Sequence, residues 1–260
     1  MHSSAVHHNR LAPGAGATSA VAGLFMYECD CDAPGVVIPR PEIQIVVRFG
    51  PSARSALDVH AFGARQSVHR KLIRSGQRAV TARLQLGAPD AVLGVPASAM
   101  AGRVVGLEDL WGEAATRRLC ARLADAPDLV GAAAILEGAI AERLTTAKGR
   151  HAGAQLALAA ADRLASASVN AVAVDLGVSE RHLRRVFRET VGVSPKAFAK
   201  LTRFHRALRA ARTDAQVNWA GIAAAVGYYD QAHLIAEFRT IAGVTPRALL
   251  GELRAAPSVG

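Results

Sequence analysis

VAVDLGVSERHLRRVFRETVGVSPKAF (residues 172–198) and IAAAVGYYDQAHLIAEFRTIAGVTPRAL (residues 222–249) are two copies of one pattern. Val172, Ala173, Leu176 and Gly177 correspond to Ile222, Ala223, Val226 and Gly227 at an offset of 50. Past the turn, Leu183, Phe187, Gly192 and Pro195 correspond to Leu234, Phe238, Gly243 and Pro246 at an offset of 51, so the second turn is one residue longer. Each copy spells helix, turn, helix. Val172, Ala173 and Leu176 share a helical face, Gly177 ends that helix at low conformational cost, and Ser179 caps the next one. Leu183 and Phe187, four apart, face inward and leave Glu180, Arg181, Arg184 and Arg188 outward. Ser194-Pro195 and Thr245-Pro246 each open a further helix, the hydroxyl residue as N-cap and proline in the first turn. A small residue in the first helix, a glycine turn and an exposed polar second helix are the parts of a DNA-reading unit.

A duplicated helical bundle with no ligand would share this apolar pattern; charge separates the two readings. Residues 195–212 predict a long helix joining the copies, with Phe198, Leu201, His205 and Leu208 on its buried side. Lys196, Lys200 and Arg203 line one face at i, i+4 and i+7, and Arg206, Arg209 and Arg212 follow. From 179 to 212 the acids are Glu180 and Glu189 only. Same-sign charge beside a reading helix favours contact with phosphates. The chain as a whole has 31 Lys and Arg against 21 Asp and Glu, a formal charge of +10 that suits a polyanionic partner.

Upstream the character changes. Residues 1–35 are rich in Ala, Gly, Ser and His without periodicity and read as a disordered tail. Ile43 to Phe49 is a β-branched run stopped by Gly50-Pro51. Leu57, Val59 and Ala61 alternate with Asp58 and His60, and Val80, Ala82, Leu84 and Leu86 alternate with Thr81, Arg83 and Gln85. Period two between glycines and prolines predicts a half-buried antiparallel sheet. Helical spacing follows at 88–94, 108–124 and 128–144, with Leu110, Ala114, Arg117 and Cys120 or Ala121 on one face and Leu129, Ala133, Leu136 and Ile140 on another. Residues 145–150 read as a linker and 154–166 as the first helix of the last part. The expected class is α+β: a β-rich module at 36–147, then an all-α module at 151–252.

Three cysteines, Cys29, Cys31 and Cys120, are too few for a disulfide framework and fit a reducing cytosol. No apolar run reaches the roughly 18 residues that span a bilayer, and the first residues lack the order of a signal peptide. A cytoplasmic protein without a membrane partner is expected. Cys29-Asp30-Cys31 has no second pair at metal spacing, and His60 and His69 lack the carboxylate spacing of a cupin metal site. His182 and His233 fall at equivalent repeat positions, which suits structure better than catalysis. With no nucleophile elbow, P-loop or dinucleotide fingerprint, the chain is read as no enzyme, with no metal or cofactor.

LGVSERHLRRVFRETVGVSP (176–195) and AAAVGYYDQAHLIAEFRTIAGVTP (223–246), with Arg203 and Ala207 between them, resemble the AraC/XylS family of transcription regulators. The resemblance covers 151–252. It implies seven helices with two helix-turn-helix units reading successive major grooves about 34 Å apart. By position in the motif, Glu180, Arg181 and Arg184 in the first unit and Gln231, Ala232 and Ile235 in the second are the base-edge candidates. Arg185, Arg188, Lys196, Lys200 and Arg203 are the phosphate candidates. The family usually has an aromatic where Leu234 stands and often a base at Ala236, so the second reading helix is the poorer one. LQLGAPDAVLGVPASAMAGRVVGLEDLWG (84–112) is similar to the front half of some members, a small barrel or cupin-like domain that senses an effector, dimerises, or both. The candidate partners are therefore double-stranded DNA, RNA polymerase, a small-molecule effector and a second copy of the chain. The alternative reading is an enzymatic or metabolite-modifying front module fused to a DNA-binding domain.

Overall fold

The period-two stretches pair as antiparallel strands in the computed structural model, which describes residues 6–11, 20–50, 53, 56–146, 152–214 and 216–255. Six of them, β1 (Val6–Leu11), β2 (Val21–Cys29), β7 (Arg78–Leu84), β4 (Gln44–Phe49), β5 (Leu57–Phe62) and β8 (Val104–Gly106), lie side by side in that order. β3 (Ala33–Val37) pairs with β6 (His69–Ile73) as a separate two-stranded ribbon. Register places Val80 opposite Met26 and Val47, and Ala82 opposite Leu24 and Ile45. These residues are buried with Val59 and Ala61 against α1 (Pro89–Leu93), α2 (Ala97–Met100), α3 (Leu107–Trp111), α4 (Glu113–Ala124) and α5 (Leu129–Thr146). Inside this core the Trp111 indole donates to the Val92 carbonyl at 2.9 Å.

The other face of the sheet, which alternation alone would leave in water, is covered. The β3–β6 ribbon packs over Tyr27, Cys29 and Ala79 through Ala33 and Ile73; Thr81 is buried facing the space beneath it, and Asp58 is buried against Arg48 and His60. The stretch placed in a disordered tail by composition holds strands instead: residues 6–11 form β1, residues 21–29 form the longest strand described, and β3 begins at residue 33. Val21, Phe25 and Tyr27 are strand formers that the composition of 1–35 as a whole overlooks, and their strand pairs with both β1 and β7. The rest of the tail reading at 1–5 and 12–19, and the linker at 147–150, lie outside the described residues. On α4 the buried side is Thr116, Leu119 and Leu123, not the face through Ala114 and Arg117. Gly112, at φ 83°, ends α3, so α4 starts in a new phase. No helix among the described residues is long and apolar enough to cross a membrane.

The last part is helical throughout: α6 (Ala152–Arg163), α7 (Val169–Asp175), α8 (Glu180–Val191), α9 (Pro195–Thr213), α10 (Trp219–Val226), α11 (Gln231–Ala242) and α12 (Pro246–Ala255). It has two cores. Phe187 meets Phe198 edge-on at 5.3 Å in the first, and Phe204 lies 4.6 Å from Phe238 in the second. Where the first unit has buried Val186, the repeat places Glu237, 6% exposed. Its carboxylate accepts from the Tyr228 hydroxyl at 2.6 Å and from Arg203 at 3.2 Å, with that guanidinium 5.5 Å from the Tyr228 ring centre. The polar triad ties α9 and the second turn to α11.

The two halves touch along both units, most of the polar contacts lying on the second. Val36 and Ile38 enter its core. Val68 N–H donates to the Ile241 carbonyl at 2.8 Å, and Arg70 pairs with Glu252 at 2.8 Å while donating to the Ala242 carbonyl. His205 Nε2 lies 2.7 Å from the Pro39 carbonyl, an acceptor only, so that nitrogen carries the proton. On the first unit Gly192, at φ 87°, backs onto α2 so closely that a Cβ there would sit 2.9 Å from the Ala97 carbonyl oxygen.

Two outcomes follow. Glu237→Val strips the partner from Arg203 and Tyr228 and should cost about 1–3 kcal/mol in urea unfolding. Adding Arg203→Met should recover most of that loss, because an apolar pair can replace a buried ion pair; no recovery would mean the triad is not the origin. His205 is held down to a pKa of about 4, first by burial and then by Arg40, Arg83 and Arg209. An unfolded histidine titrates near 6.5, so between those values the unfolded chain binds more protons. Stability that is complete above about pH 6.5 should therefore fall toward pH 4 by up to about 1.4 kcal/mol per unit. Denaturant melts across that range should show the slope, and His205→Gln should flatten it.

Candidate nucleic-acid interface

Each reading helix starts on a side-chain cap. Ser179 Oγ accepts the His182 N–H at 3.2 Å, Asp230 Oδ1 accepts the His233 N–H at 2.7 Å, and Ser194 Oγ accepts the Ala197 N–H at 3.2 Å where α9 begins. These bonds satisfy amides that helix geometry leaves unpaired and fix where the first turn begins. On α8 the buried side is Leu183, Val186, Phe187 and Val191, and Arg181, Arg184, Arg185 and Arg188 are all exposed. The phase is thus the one the spacing predicts.

The charges on α8 are partly self-paired. Arg184 holds Glu180 through Nε at 2.7 Å, and Arg185 holds Glu189 at 3.1 Å, each one turn apart. Exposed i,i+4 pairs are worth only a few tenths of a kcal/mol, so either arginine is readily surrendered to a better anion. Arg181 and Arg188 have no carboxylate at salt-bridge distance among the described residues. Ser98 of α2 shares a cleft with Arg184, Arg185 and Arg188, which brings the front half against the C-terminal part of this helix.

α11 presents a different surface. Gln231 and Ala232 are exposed, whereas Ile235 is half-buried and packs on the second core. Of the candidates on α9, Lys196 is exposed and Lys200 half-exposed, while Arg203 turns inward to Glu237. Two exposed cations escaped the sequence reading, although the offset of 51 points at both: Arg239 is the counterpart of Arg188, and Arg247 of Lys196. Tyr229 stands at the lengthened turn and is 93% exposed beside the Asp230 cap. Among the described residues no three His, Cys, Asp or Glu side chains are grouped to hold a metal ion.

Residues 154–252 match the family model described as a helix-turn-helix domain. No curated protein matches the chain. Among solved structures, a transcriptional regulator with an AraC-type DNA-binding domain from Chromobacterium violaceum is 27% identical over 41% of this chain and 99% of its own, with a TM-score of 0.34. The C-terminal domain of AraT, a response regulator from Geobacillus stearothermophilus, is 20% identical over 40% of this chain and 88% of its own, TM-score 0.35. Unsaturated-fatty-acid-bound ToxT from Vibrio cholerae is 10% identical over 93% of this chain and 98% of its own, TM-score 0.49. Residues 154–252, with two capped reading helices and a shared connecting helix, form a helix-turn-helix domain, and the chain is a DNA-binding transcription regulator.

Proposed function

We propose that the chain is a sequence-specific, effector-responsive regulator acting in the cytosol, its front half sensing and its residues 151–252 reading an asymmetric DNA site. The observation that carries this is the outward face of α8, where exposed Arg181 and Arg184 project from a helix fixed at its start by Ser179. Arginine is the natural bidentate partner of guanine, and Glu180 can accept from a cytosine amine once Arg184 releases it. Gln231, Ala232 and Ile235 supply weaker contacts in the next groove. Arg185, Arg188, Lys196 and Lys200 fix the register through phosphates, joined by Arg239 and Arg247. Arg203, already engaged by Glu237, acts by holding α9 to α11. The effector shifts the population between two arrangements of the halves, and RNA polymerase and a second copy are the partners through which binding becomes regulation.

Fragmented genomic DNA captured by the protein near physiological salt and then sequenced tests the reading. The expected result is a few discrete peaks sharing one asymmetric motif, lost in the Arg181→Ala/Arg184→Ala double variant. Diffuse recovery that disappears with salt and ignores the variant would reduce the activity to phosphate binding.

A further inference from the structure

Between the outward face of the six-stranded sheet and the β3–β6 ribbon lies a cavity of about 240 Å³. Its size is below the roughly 300–1,000 Å³ of drug-sized sites, so it suits a small molecule. Phe25, Tyr27 and Phe62 give it aromatic walls, and Arg40, Arg48, Arg65 and Lys71 line it with Glu42 as the acid among them. Arg48 is committed to Asp58 through two hydrogen bonds, at 2.8 and 3.1 Å. The other three cations have no carboxylate at salt-bridge distance among the described residues. Arg65 lies 5.0 Å from the Phe62 ring centre, and Lys71 lies 5.8 Å from that of Tyr27. Arg40 Nε and Glu42 Oε2 are buried without a hydrogen-bond partner. Behind them Arg83, stacked 4.4 Å from the Phe25 ring centre, has two buried nitrogens in the same condition.

Burying cations without counter-charge is costly, and ring faces recover only part of it. Burial is the leading cause that holds Arg40, Arg65 and Lys71 below their ordinary pKa, and it brings Arg83 to about 10. A wall with this surplus is completed by a negative charge, and its aromatic remainder by a flat or short apolar body.

Arg40 also connects this cavity to the DNA-binding half. It lines a second cavity, of about 310 Å³, with His205, Arg209 and Arg212 of α9, and the charges of Arg209 and Arg212 oppose its own. Its neighbours in sequence hold α9 directly: Pro39 accepts from His205, and Ile38 lies in the second core.

Building on the effector-responsive reading, we infer that the sheet–ribbon cavity binds a small organic carboxylate between Lys71, Arg65 and Arg40, and that neutralising Arg40 tightens the docking of residues 38–42 on α9. The ligand therefore favours the docked arrangement of the halves, and by linkage DNA and carboxylate alter each other's affinity.

The test uses the full chain and four probes, benzoate, octanoate and their amides, with inorganic phosphate as the ionic control. At least one carboxylate should raise the melting temperature saturably by several degrees, its amide should not, and Lys71→Met should weaken its apparent affinity about tenfold or more. The same carboxylate should change the affinity for a captured DNA fragment. An amide as effective as its acid would overturn the anion site while leaving the effector reading intact. Phosphate matching both acids, with Lys71→Met indifferent, would mean an adventitious ion only. No shift with either acid also overturns the site. A carboxylate that binds through Lys71 and leaves DNA affinity unchanged would instead remove the effector reading and keep the anion site.

Discussion

Phe198 and Phe204 stand on one helix but belong to different cores. Everything in the DNA-binding half depends on that sharing. α9 is 19 residues long, about 28 Å at the usual rise, and it is rigid because both ends are fixed by packing. Phe198 seats Phe187 of the first reading helix, and Phe204 seats Phe238 of the second. The two reading helices are thus placed by a common strut. A flexible linker would let the two units find any pair of sites; a buried helix selects one spacing.

The second unit needs more to hold it than the first. Val186 closes the first core by apolar contact, but its counterpart Glu237 brings a charge into the second. That charge is tolerable only because Tyr228 and Arg203 meet it together. The extra residue in the second turn makes room for this, with Tyr228 turned in and Tyr229 turned out. Arg203 is consequently the one basic side chain of the stripe on α9 that sequence periodicity assigns to the wrong neighbour: its spacing matches Lys196 and Lys200, but a buried carboxylate outcompetes solvent for it.

Local rules made the C-terminal half legible. Caps at Ser179, Asp230 and Ser194 act within three residues, apolar pairs such as Leu183 and Phe187 act within one turn, and both can be read without knowing the fold. The front half depends on long-range pairing, which composition does not report. Val21–Cys29 carries the strand formers Val21, Phe25 and Tyr27, but the Ala-, Gly- and Ser-rich stretch before it masks them until β1 and β7 are seen to flank it. Asp58 and Thr81 look like the wet side of a half-buried sheet, yet both are buried, Thr81 under the ribbon from residues 33–37 and 69–73 and Asp58 against Arg48. The phase of α4 failed for a different reason, a helix break at Gly112 inside what spacing read as a single helix.

Covering that face changes what its polar residues can be for. A surface arginine is free of energetic demands; one placed under a ribbon must be paired, stacked or left as stored cost. Arg48 is paired and Arg83 is stacked, while Arg40 faces Glu42 on one side and the arginines of α9 on the other. Residues 38–42 are therefore balanced between two loads, attraction into the second core through Ile38 and repulsion from α9 through Arg40. On the proposal above, such a balance lets a ligand at Arg40 bias the docking of this segment, the property a switch requires. Other contacts between the halves, Arg70 with Glu252, Val68 with Ile241 and Gly192 against Ala97, flank this segment without touching Arg40.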